Sequence, residues 1–214
     1  MIRELNHLGI LVRDYDASVA FYTELGGRVV FERRPPEHGT DLCYLQLGQG
    51  LIELIGAGER PLGASHLAFL VDELEADFRR LVDAGCTPTE EPHPAATGFG
   101  RLGFVTGPAG ESIELLQRDE VWRQAPVPHT EVEALACYAL RAPDAAAAER
   151  FYREVIGLEE RGRDGELVYL GLGADTLELG PGQGPFAGLA LAVRGDRAGS
   201  ALTDPDGVAV RLEG

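Results

Sequence analysis

Apolar and polar positions along the chain fall into a pattern that recurs. Residues 5–12, LNHLGILV, read as a strand. A helix should begin at Asp14 to Ala17, with Asp14 or Asp16 as its N-cap. It runs through SVAFYTEL and stops at the Gly26-Gly27 pair. RVVFERR, DLCYLQLG and GLIELIG then predict three more strands. SHLAFLV, residues 65–71, starts the pattern again. A helix from Glu73 to Ala84 follows, with Leu74, Phe78, Leu81 and Val82 on one side, and Gly85 ends it. Residues 86–92 carry Pro88 and Pro92, which restrict them to an edge strand or an extended loop. Arg101 to Thr106 and Ser112 to Gln117 complete this second unit.

A third round comes after residues 119–134, which lack periodicity, hold Pro126 and Pro128, and read as a linker whose Trp122 docks on one of the domains. ALACYALRA is a strand, Asp144 to Val155 a helix, and GLEERGR, ELVYLGLG and DTLELG three strands. AFYTELGG at 20–27 matches RFYREVIG at 150–157, an offset of 130 residues. The fourth round is short. GLALAVRG is its first strand and ALTDPDGVAVRLEG its last two, with only Asp196 to Gly199 between them, too few residues for a helix. The pattern therefore predicts an α+β fold made of βαβββ modules at 1–60, 64–118, 135–181 and 185–214, the last without its helix and one strand. Residues 1–118 form a complete domain on this reading, and 135–214 a degenerate, truncated second one. The strand at 188–193 would lack the helix that covers its equivalents. Its apolar face should then pack on the first domain or on a second chain, which predicts a homodimer.

Composition narrows the function classes. The net charge is −16, with ten Arg against eighteen Asp and Glu in residues 1–118 and nine against seventeen in the remainder. A nucleic-acid partner needs basic patches and is disfavoured. The chain has no lysine, which excludes a Schiff-base lysine and a phosphate-loop lysine. No apolar run reaches the ~18 residues of a membrane span, and the N-terminus runs straight into a strand; no membrane partner and a cytoplasmic location are expected. Cys43, Cys86 and Cys137 are scattered and read as small buried hydrophobes.

The modules also repeat chemistry. His7 and His66 open the first strands of modules one and two, and Glu53 and Glu114 sit inside the last strands. A carboxylate in strands as apolar as LIELI and SIELL must be solvated, paired or bound to a metal. Matched placement can bring all four together about a pseudo-twofold axis. Two imidazoles and two carboxylates then make a site for one divalent ion, Ni, Zn, Co, Mn or Fe(II), rather than for Ca or Cu(I). The C-terminal modules have Cys137, Glu178, Gly188 and Arg211 in the corresponding places, which do not make a metal site.

The stretches NHLGILVRDYDASVAFYTELGG, LIELI, SHLAFLV and FVTGPAGESIELLQ resemble the vicinal oxygen chelate superfamily: glyoxalase I, bleomycin-resistance proteins, fosfomycin-resistance transferases, extradiol dioxygenases and methylmalonyl-CoA epimerase. The resemblance spans residues 1–118, and a degenerate copy continues to 214. It implies paired βαβββ units curled into a half-open cup with a metal at the floor, held by His7, Glu53, His66 and Glu114. That set is similar to the glyoxalase I pattern. It implies a lyase or isomerase that binds a small substrate through vicinal oxygens and moves a proton through an enediolate, with Glu53 or Glu114 as base. The alternatives within the superfamily are an Fe(II) ring-cleaving dioxygenase using His7, His66 and Glu114, and a metal-free binding protein of the bleomycin-resistance kind. A glutathione pocket would need cations, for which Arg13, Arg33, Arg34 and Arg101 are candidates.

Overall fold

The computed structural model describes residues 1–35, 39–126, 128–129 and 131–214. Module one comprises β1 (Ile2–Val12), α1 (Tyr15–Glu24), β2 (Arg28–Arg33), β3 (Leu42–Leu47) and β4 (Gly50–Gly56). Module two comprises β5 (Gly63–Val71), α2 (Leu74–Asp83), β6 (Thr87–Pro94), β7 (Arg101–Thr106) and β8 (Ser112–Gln117). Module three comprises β9 (Val132–Ala142), α3 (Ala145–Arg150) continued by a π-helical stretch (Phe151–Ile156), β10 (Glu159–Asp164), β11 (Leu167–Leu172) and β12 (Asp175–Pro181). Module four has β13 (Phe186–Val193), β14 (Ala201–Thr203) and β15 (Ala209–Glu213). Its helix and one strand are missing, as the sequence pattern requires. Among the described residues no helix is long and apolar enough to cross a membrane.

One sheet has the order β2-β3-β4-β1-β5-β8-β7-β6, the other β10-β11-β12-β9-β13-β15-β14. In modules one, two and four the first strand runs parallel to the last: β1 with β4, β5 with β8 and β13 with β15. The remaining ladders in each module are antiparallel. The three prolines of β6, Pro88, Pro92 and Pro94, are tolerated because it is an edge strand, and its pairing slips at Pro88/Glu90 and Glu90/His93.

Asp14 caps α1 by accepting from the Ala17 amide at 3.0 Å, and Asp144 caps α3 by accepting from the Ala147 amide at 2.9 Å. The buried face of α1 is Tyr15, Ser18 and Tyr22, not an all-apolar stripe. Ser18 belongs there because its hydroxyl donates to Asp206. The helix of module three changes to π geometry at Phe151, a local event that apolar spacing does not announce.

The chain divides into two compact units, each containing two modules. One consists of Met1–Asn6, His66–Glu120 and Ala139–Ala187; the other of His7–Ser65, Val121–Tyr138 and Gly188–Gly214. Each unit is tied by a buried tyrosine. In the first, the Tyr152 hydroxyl donates to Glu111 at 2.5 Å, and the other Glu111 oxygen accepts from the Ala109 amide at 2.7 Å. In the second, the Tyr22 hydroxyl donates to Asp204 at 2.9 Å. Tyr22 and Tyr152 are equivalent by the 130-residue offset, and both are fully buried. Their carboxylates are not equivalent. Glu111 lies just before β8, and a Cβ on Gly107 would fall 2.4 Å from its oxygen. In module four Asp204 stands where module two has Gly107, and Val208 where it has Glu111. The two turns fill the same need from opposite ends. Leu189, Leu191 and Val193 are buried within the chain itself. The same unit bonds the turn at 204–206 to Arg13, Ser18 and Tyr22 of module one. The apolar face that the sequence expects to pack on the first domain or on a second chain is therefore buried within the chain.

Burial holds the Glu111 carboxyl above the usual carboxylate range, against the opposing Tyr152 bond. A raised folded pKa contributes stability that is complete below the unfolded value near 4.5 and is lost as pH rises through the folded value. Urea unfolding across this window should therefore show Glu111→Gln gaining on the parent as pH rises. Tyr152→Phe should cost about 1–3 kcal/mol at neutral pH, because the carboxylate loses a buried donor.

Candidate metal centre

The side chains come from strand interiors, where register fixes their direction. In β3 and β4 the tight turn after Leu47 pairs Leu47 with Gly50, so Tyr44 lies opposite Glu53. In β7 and β8 the same counting places Phe104 opposite Glu114. Directly paired residues share a face. Each glutamate is thus neighboured by an aromatic ring rather than by water. His7 and His66 enter from the parallel strands on the other side, paired with Leu51 and Ser112. The His7 ring meets Tyr44 edge-on at 4.9 Å between centroids, and His66 meets Phe104 at 5.5 Å.

Within each module the histidine approaches its own glutamate: His7 Nε2 to Glu53 at 3.4 Å, and His66 Nε2 to Glu114 at 3.0 Å. All four residues are buried, with exposures of 0%, 6%, 6% and 2% for His7, Glu53, His66 and Glu114. One ligand atom from each lies within 4.8 Å of the others, a group that could hold a metal ion. Two carboxylates this close and this dry repel one another unless positive charge compensates them. A divalent ion can supply it. The donor set, two N and two O, fits a borderline ion of the Zn, Ni, Co, Mn or Fe(II) kind and does not fit an all-oxygen Ca site.

The three cysteines are buried thiols. Burial pushes the Cys43 and Cys86 thiols up to about 11, so neither is a thiolate at neutral pH. Arg34 is paired with Asp16 and Glu32, and Arg101 with Glu75. These two cations already have surface partners.

Module three shows what becomes of such a position when its partners are lost. Glu178 keeps the aromatic opposite it, Tyr169, and is fully buried. The Arg141 guanidinium lies 2.6 Å from its carboxylate, so a tethered cation compensates the charge. In module four Arg211, the counterpart of Glu114, donates to the Cys137 sulfur at 3.7 Å and pairs with Glu213 at 3.3 Å. Comparing the modules in sequence identifies Glu178 and Arg211 but not Arg141, which has no counterpart among the four metal-site positions.

The family model described as Glyoxalase/Bleomycin resistance protein/Dioxygenase superfamily matches residues 4–115. A probable lactoylglutathione lyase of Vibrio cholerae is 32% identical over 124 residues, which are 53% of this chain and 90% of that protein. The Mn(II)-bound glyoxalase from Novosphingobium aromaticivorans superposes with a TM-score of 0.72 at 18% identity, covering 99% of this chain and 81% of that one. Homoprotocatechuate 2,3-dioxygenase from Brevibacterium fuscum, as an E323L mutant, gives 0.71 at 16% identity, covering 99% and 71%. At such identities these two structures establish likeness of fold alone.

If Arg141 is what makes Glu178 tolerable in the core, the two should be energetically coupled. A double-mutant cycle of Arg141→Met and Glu178→Gln, read by urea unfolding, should return a coupling of about 1–3 kcal/mol. A value near zero would mean that other groups carry the charge.

Proposed function

This chain belongs to the Glyoxalase/Bleomycin resistance protein/Dioxygenase superfamily, and we propose that within it the chain is a metal-dependent lyase or isomerase of the glyoxalase type. Its substrate is a small molecule bound through two vicinal oxygens. His7, Glu53, His66 and Glu114 would hold one divalent ion. The observation that supports the reading is that Glu53 belongs to the same buried group as His7, His66 and Glu114. It is as buried as the other three, beside His7 as Glu114 is beside His66. A two-His-one-carboxylate oxygenase needs only His7, His66 and Glu114, and a binding cup needs none of them.

When bound, the ion would act as a Lewis acid on the substrate oxygens and acidify the adjacent carbon. Glu53 or Glu114 accepts the proton from that carbon and returns it to the neighbouring one. The apolar neighbours of each carboxylate exclude water, which keeps the abstracted proton from exchanging freely. His7 and His66 position the site, each ring held edge-on by an aromatic of its own module. The reading includes a cytoplasmic enzyme without nucleic-acid or membrane partners. It also includes a homodimer, since soluble oligomers are most often twofold pairs; light scattering decides that part.

Purified protein should carry about one divalent ion per chain by elemental analysis. His66→Ala should weaken binding by at least the ~10–100-fold typical of losing a group that merely supports a ligand. Cys137→Ser and Arg211→Ala should leave metal content unchanged. Full occupancy in a His7→Ala, His66→Ala double variant would overturn the ligand assignment. Activity should return to chelated protein with Ni, Zn or Co. In D2O the glutathione hemithioacetal of methylglyoxal should then give product with deuterium on the receiving carbon in part of the molecules. Oxygen consumption with a catechol after Fe(II) is restored, without any isomerase activity, would favour the oxygenase instead.

A further inference from the structure

The pairing that places Tyr44 opposite Glu53 continues one strand further, for Phe31 lies opposite Tyr44. Glu53, Tyr44 and Phe31 therefore form a row on one face of the sheet. Strand spacing of ~4.8 Å puts Tyr44 about 5 Å and Phe31 about 10 Å from Glu53 along that row. Trp122 is laid on it. Its ring stacks on Phe31 at 4.1 Å and 5° between planes, and meets Tyr44 edge-on at 4.4 Å. Leu42, Leu51 and Ile55 complete the apolar cluster around these rings. The segment carrying Trp122 has no regular structure, yet it is pinned. Gln46 and Gln124 exchange two hydrogen bonds of 2.8 Å, side-chain amide against backbone, with Gln46 only 3% exposed. Arg123 donates to the Gln49 carbonyl, and Arg28 donates to Ala125 at 3.1 Å. These bonds hold the segment at the three residues that follow the tryptophan, which makes Trp122 a fixed surface and not a swinging lid. Modules two and three continue differently: Glu90 stands opposite Phe104, and Gly162 opposite Tyr169.

We propose that the Phe31–Trp122 stack is a specificity wall of the substrate site, selecting substrates that carry a flat apolar group, such as an aromatic ring, next to the two chelating oxygens. The proposal rests on the reading of His7, Glu53, His66 and Glu114 as the ion-binding centre. The row begins at a ligand of that centre and ends on a half-buried aromatic stack about 10 Å away. A methyl substituent would not span that distance, and a ring would. Offset or edge-on contact with two further rings favours an aromatic group over an aliphatic one of equal size.

The test uses two hydroxamates, both bidentate oxygen chelators, on Co(II)-loaded full-length protein. Acetohydroxamate presents a methyl group and benzohydroxamate a ring. Affinities are read from the cobalt visible spectrum and corrected for each compound's affinity for free Co(II). Benzohydroxamate should bind about tenfold tighter. It should also change the emission of Trp122, the only tryptophan in the chain, whereas acetohydroxamate should leave it nearly as it was. The preference should fall in Trp122→Ala and return largely in Trp122→Phe. Equal corrected binding in the parent protein, or a preference that persists in Trp122→Ala, overturns the proposal and leaves the metal-centre reading standing. Binding of neither compound to protein shown by analysis to hold Co(II) overturns the chelation reading and the proposal with it.

Discussion

Two carboxylates set inside apolar strands impose the strictest condition on this molecule. A strand has a period of two, so Glu53 and Glu114 cannot escape to the far face without taking their neighbours with them. Ile52 and Leu54, and Ile113 and Leu115, are committed to burial on the opposite face. The charge therefore has to be compensated where it lies, and the imidazoles of the adjacent parallel strands lie within reach to share a cation with it. The βαβββ order brings about that adjacency, because in modules one and two the last strand pairs in parallel with the first.

Much of this is legible in the residues, for physical reasons that are easy to state. The helices show in their caps and glycine stops, the edge character of β6 in its prolines, and the shortened fourth module in the four residues left where a helix should stand. The equivalence of His7 with His66 and of Glu53 with Glu114 follows from the repeat. The aromatic partners of the glutamates could also have been found. Counting outward from the turn after Leu47 gives Tyr44 against Glu53, and counting from the Gly107 turn gives Phe104 against Glu114. The docking of Trp122 is expected from its size, but its resting place on Phe31 is not visible in sequence, because nothing in an aperiodic segment encodes the face it lies on.

Other features stay hidden from a one-dimensional reading. The bonds from Tyr152 to Glu111 and from Tyr22 to Asp204 join residues 41 and 182 positions apart. Their carboxylates come from non-equivalent turn positions, so aligning the modules sets Glu111 against a valine and conceals the shared role. The π geometry at Phe151 arises without a proline or a glycine inside it. Arg141 is hidden for a different reason. It replaces the function of a ligand set without replacing any of its residues.

That last substitution separates two ways of tolerating a buried carboxylate. With Glu53 and Glu114 as ligands of a divalent ion, the compensating cation would be exchangeable, and its occupancy would follow the supply of free ion. At Glu178 the cation is part of the polypeptide, synthesised with it and impossible to chelate away. The same repeated position has thus become indifferent to metal economy. A cell starved of divalent ions would leave the core around Glu178 as it was, while the core around His7 and His66 would lose the ion that compensates its carboxylates.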